Sequence, residues 1–96
     1  MQAALARALE DAAPDVRVQA VRALRAVDGA RAIPALGHTL LSDPDVTVRR
    51  AAAQMLGSLP EPAATSALSV ASQDADAFVR REVTRALNRQ GGSTSP

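Results

Sequence analysis

Three carboxylate–guanidinium pairs stand at one spacing along the chain: Asp11 with Arg17, Asp43 with Arg49, and Asp74 with Arg80. Rows of these two groups could form an anion site or an acid–base site, so they are the first place to look for chemistry. Their recurrence points elsewhere, because a position that returns in every unit of a repeat belongs far more often to the scaffold than to a catalytic centre. The remaining candidates are few. His38 is the single histidine, with no second His and no His–Glu pair to share a metal. Ser42, Ser58, Thr39 and Thr47 have no base partner in their sequence context and read as turn or helix-surface residues. All 11 cations are Arg and none is Lys, which removes Schiff-base chemistry and a lysine base. The absence of Cys removes a disulfide framework, a thiolate metal site and a cysteine nucleophile. No catalytic residue, metal or cofactor is expected, and the chain is not expected to be an enzyme.

The elements that would position these pairs follow from their period. Anchored on Asp43, Val48, Arg49 and Leu56, an earlier copy of the pattern supplies Asp11, Val16, Arg17 and Leu24, and a later copy supplies Asp74, Val79, Arg80 and Leu87. Self-similarity at 32 and then 31 residues is the signature of a repeat architecture. With 22 Ala, 10 Leu and 9 Val against one aromatic, Phe78, the elements must approach backbone to backbone, which suits stacked helices.

Helical spacing at Ala4, Leu5, Ala8 and Leu9 marks a first helix over Gln2 to Glu10. Pro14 suits the first position of a second helix, whose stripe is read as Val16, Ala20, Ala23, Leu24 and Val27, ended by Asp28-Gly29. A third helix carries Ile33, Leu36, Leu40 and Leu41, with Pro34 in its first turn. Asp45 caps a fourth with Val48, Ala52, Met55, Leu56 and Leu59 inside. After Pro60-Glu61-Pro62, a weakly apolar fifth helix holds Ala64, Ala67, Leu68 and Ala71. Asp76 then caps a sixth running through Phe78, Val79, Val83, Ala86 and Leu87 to about Arg89. Ala13 occupies the equivalent capping position and cannot cap.

Three hairpins of this kind, with Asp-x5-Arg, Val-Arg at each second helix and Ala-x-x-x-Leu or Ala-x-x-Met-Leu after it, resemble the HEAT-repeat family, in particular the short bacterial type named after phycobilisome lyases. The resemblance covers residues 1 to about 90. It implies an all-α, right-handed solenoid of three hairpins and six helices, with repeats at about 1–28, 29–59 and 60–90 and a flexible tail over 91–96. It also implies that Asp11, Arg17, Asp43, Arg49, Asp74 and Arg80 form a structural ladder along the turns, and that the second helices line a concave side.

On those second helices, positions two, six and nine beyond the first valine are read as facing away from the core: Val18, Arg22 and Arg25, then Arg50, Gln54 and Gly57, then Arg81, Arg85 and Asn88. Arg22, Arg25, Arg50, Gln54, Arg81 and Arg85 would then line a basic stripe on the concave side, ending at Arg89, with Glu82 the lone carboxylate well inside these helices. An ordinary solvated helix face is the competing reading of that stripe. A net charge of +1, no aromatic platform and no reading motif argue against nucleic acid. The HEAT-like DNA glycosylases use a tryptophan-rich cleft, and this chain has no Trp. The function expected is a protein-interaction scaffold for a partner with an acidic surface. The resemblance alone suggests a phycobilin-lyase-like subunit or accessory factor instead, with a nucleic-acid-binding HEAT-like protein third.

No stretch of eighteen apolar residues would cross a membrane, and a cytoplasmic setting is expected. Neither end of the stack reads as capped, so the chain is expected to be the C-terminal part of a longer protein and to self-associate through its ends.

Overall fold

The computed structural model describes residues 2–91. Within them lie six α-helices: α1 (Ala3–Ala8), α2 (Pro14–Asp28), α3 (Ile33–Ser42), α4 (Val46–Gly57), α5 (Pro62–Ala71) and α6 (Ala77–Gly91), with a 3₁₀ turn over Gly29–Ala32 leading into α3. Gly91 closes α6 instead of opening the expected tail, whose other residues, 92–96, lie outside the described residues.

Local chemistry sets the boundaries. Asp45 accepts hydrogen bonds from the backbone N–H groups of Thr47 at 2.8 Å and Val48 at 3.3 Å, and Asp76 does the same for Phe78 at 2.8 Å and Val79 at 3.1 Å. Each carboxylate thereby satisfies donors that a helix start leaves orphaned. Ala13 offers no such group, and Pro14 at the first position of α2 removes one orphan donor instead. Gly29 ends α2 at φ +54°, a region that side chains with a Cβ avoid.

The helices pack in two layers, α2–α4–α6 on one side and α1, α3 and α5 on the other, and consecutive helices pair as α1 with α2, α3 with α4 and α5 with α6. One continuous apolar core joins them, built from Leu24, Leu36, Leu40, Leu56 and Leu68 with valines and alanines between. Where α4 crosses α6 the backbones come so close that a Cβ on Gly57 would lie 2.7 Å from that of Ala86. Small side chains make such an approach possible.

The buried faces agree with the sequence reading at Ala20, Leu24, Val48, Ala52, Leu56, Val79, Val83 and Ala86 and depart from it at other positions. In α2 the buried residues are Arg17, Ala20, Val21 and Leu24, whereas Val16 and Val27 are exposed. In α6 they are Val79, Glu82, Val83 and Ala86, whereas Phe78 is exposed. Helix α4 buries both kinds of position, Val48, Ala51 and Ala52 on one side and Ala53, Leu56 and Gly57 on the other. A second helix in a stack has a backward face and a forward face, and a single helical wheel merges them. Gly57, assigned outward, is therefore buried against α6. Leu41, assigned to the core, is exposed and borders a shallow groove with Val70 at the turn between the second and third hairpins. The two ends also differ, since exposed Arg80, Thr84 and Asn88 give α6 a polar outer side.

Candidate interaction surface

Each repeated aspartate does two things at its turn, and two of the three do a third. Its carboxylate accepts the N–H two residues on: Ala13 to Asp11 at 2.8 Å, Asp45 to Asp43 at 2.9 Å, Asp76 to Asp74 at 2.9 Å. Its backbone carbonyl accepts Nη1 of the arginine six residues later, at 2.7 Å for Arg17, 2.8 Å for Arg49 and 2.7 Å for Arg80. The carboxylates of Asp43 and Asp74 also take a two-pronged bond from the arginine of the hairpin before. Arg17 gives Nε to Oδ2 of Asp43 at 2.9 Å and Nη2 to Oδ1 at 3.1 Å. Arg49 repeats this on Asp74 at 3.1 and 3.4 Å.

A planar guanidinium suits this double duty because its donors form a fixed fork. The hydrogen bond to Asp43 raises the pKa of Arg17 above its ordinary value, against the opposing effect of burial, so the charged form is the one favoured. At the far end of each seam other polar groups meet. Arg25 donates to Ser58 Oγ at 2.8 Å, and the Gln90 side-chain amide donates to the carbonyls of Leu56 and Leu59 while accepting from Thr65.

The remaining arginines do not form one row. Arg50, Gln54 and Arg85 gather around Glu82, which is only 3% exposed. Gln54 Nε2 lies 3.3 Å from its carboxylate, and Arg50 and Arg85 are each 3.8 Å away. Beside them Phe78, 56% exposed, lies between two cations, with the guanidinium of Arg50 5.9 Å and that of Arg81 5.6 Å from the ring centre. Cations at this range are attracted to the ring face and hold it in place. Arg22 is exposed on α2, Arg25 is tied to Ser58, and the side chain of Arg89 lies against Gly57.

Sequence reasoning placed Phe78 only among the apolar residues along the sixth helix and did not single it out as a surface group. Its neighbours held the signal, since it occupies the position of Thr47 in the previous repeat and Asp15 in the one before. Both equivalents are exposed and polar.

A groove of about 720 Å³ opens between the first two hairpins, lined by Leu9, Glu10, Pro34, Ala35, His38 and the Arg17–Asp43 pair among others. It exists because α3 packs on α5 while the six-residue α1 makes no comparable contact with α3. His38 is exposed at its wall. Among the described residues no three His, Asp or Glu side chains converge as a metal site would require.

The family model for HEAT repeats matches residues 1–88. The chain belongs to the HEAT-repeat family. HEAT repeats generally serve as protein-interaction scaffolds and are generally non-catalytic. A comparison with curated proteins finds no match. Among the described residues no helix of this HEAT-repeat chain is long and apolar enough to cross a membrane.

Proposed function

We propose that this HEAT-repeat chain is a non-catalytic scaffold that binds an acidic protein surface through its second helices, with Arg50, Gln54, Arg81 and Arg85 around Phe78 as the centre and Arg22 and Arg25 at the margin. The observation that carries the reading is the exposure of Phe78 between two guanidiniums. Aromatic and arginine side chains dominate the energetics of protein interfaces, and here the single aromatic of the chain stands in solvent among arginines. Glu82 beneath them restrains Arg50 and Arg85 and so lowers the entropy that a partner would have to remove. No carboxylate pairs with Arg22 or Arg81 among the described residues, which leaves the surface net positive.

The immobilised chain should capture a partner from a lysate of its source cells, more weakly as salt rises. A triple change of Arg50, Arg81 and Arg85 to Ser, and separately Phe78→Ala, should lose that capture with helicity by circular dichroism unchanged. Equal capture by the parent and the triple variant would refute the proposed surface. An absorbance change on mixing with a bilin, without captured protein, would favour the chromophore-lyase reading instead.

A further inference from the structure

The forward and backward faces of the second helices describe what each end of the stack can receive. On α6 the forward positions are Arg80, Thr84 and Leu87, with Asn88 where α4 has Gly57; Arg80, Thr84 and Asn88 are exposed. That is the polar outer side a terminal repeat needs. On α2 the backward positions are Val16, Gln19, Ala20 and Ala23, with Val27 one turn further. Val16 is 39% and Val27 56% exposed, although their equivalents in the next repeat, Val48 in α4 and Leu59 just after it, are buried.

The ladder shows the same asymmetry independently. Asp43 and Asp74 each hold a guanidinium from the hairpin before. The carboxylate of Asp11 accepts only the N–H of Ala13, and among the described residues no guanidinium pairs with it. The outer side of α2 therefore combines the apolar patch and the two-pronged acceptor of an interior seam.

We propose that this face docks a further helical hairpin of the same repeat type, whose second helix lays small apolar side chains on Val16, Ala23 and Val27 and whose arginine chelates Asp11 as Arg17 chelates Asp43. A second copy of the chain fits less well. Its free face would bring Arg81, Arg85 and Asn88 onto this patch, where Gln19 stands at the position of Glu82 and offers them no carboxylate. Two α2 faces set against each other would oppose two Asp11 carboxylates, which repel.

The test is the 96-residue chain with a copy of its own residues 30–63 fused before Met1. The added arginine then precedes Asp11 by 25 residues, the separation between Arg49 and Asp74. One cooperative melt at a higher temperature than that of the parent is expected. Asp11→Asn keeps an acceptor for Ala13 but loses the charge, and Val27→Asp alters an exposed site of the parent. Each should lower the melting point of the extended protein by roughly 4 °C or more, and that of the parent far less. Independent melting of the added hairpin, or equal shifts in both backgrounds, would overturn the proposal. So would self-association of the unextended chain that Asp11→Arg and Arg80→Asp each abolish and their mixture restores, because the face would then belong to a second copy.

Discussion

Arg49 and Arg50 are neighbours in sequence with the same side chain, yet the turn and the helix give them different work. The side chain of Arg49 is 14% exposed and joins three partners' worth of bonding: the two oxygens of Asp74 and the carbonyl of Asp43. That of Arg50 is 41% exposed and stands 3.8 Å from Glu82. Truncating Arg49 takes two donors from a part-buried carboxylate and one from a carbonyl, at a cost on the order of 1 to 3 kcal/mol. Truncating Arg50 removes a long, partly screened contact, at a cost of about 1 kcal/mol or less. Thermal melting of Arg49→Ala and Arg50→Ala should separate the two, with Arg49→Ala clearly the less stable; equal shifts would contradict the division of labour.

At the scale of the element, glycine substitutions report how tightly each pair of helices is packed. Alanine is favoured over glycine within a helix by about 1 kcal/mol. At Gly37 in α3 the added Cβ would meet that of Ala67 at 3.5 Å, an ordinary contact, so Gly37→Ala should stabilise by roughly that amount. At Gly57 the Cβ would fall 2.7 Å from Ala86 Cβ and 3.0 Å from its Cα, so α4 and α6 would have to separate. Overpacking of that kind typically costs about 1 to 3 kcal/mol, which outweighs the gain in propensity. Denaturant midpoints that move in opposite directions for the two variants are the expected result. The same packing explains what the sequence could and could not show. Helix number and the caps at Asp45 and Asp76 were legible because they depend on a few adjacent residues. The buried faces were legible in part: Ala20, Leu24, Val48, Ala52, Leu56, Val79 and Val83 lie inside as read, whereas the second covered side at Ala51, Ala53 and Gly57 depends on which neighbouring hairpins pack there. The exposure of Phe78 was not legible for a related reason: it was counted with the apolar residues of its helix, while its register put it in water beside arginines.

For the whole molecule, stability should fall away from the middle of the stack. Helix α4 packs on α2, α3, α5 and α6, whereas α1 has six residues and buries none. Native-state hydrogen exchange should therefore be slowest in α4 and fastest in α1, and uniform protection across all six helices would refute the gradient. The clamp made by Gln90 has a further consequence, for how the chain is trimmed. Its amide holds the Leu56 carbonyl of α4, the Leu59 carbonyl just past that helix and the side chain of Thr65 together, one residue before α6 ends at Gly91. An exopeptidase that works inward from the C-terminus and removes Gln90 strips Leu56, Leu59 and Thr65 of that partner at once. Brief carboxypeptidase digestion followed by mass spectrometry should show products accumulating with Gln90 or Gly91 as their last residue. Gln90→Ala should let digestion run further into α6, so that a single amide sets the point at which trimming turns into unfolding.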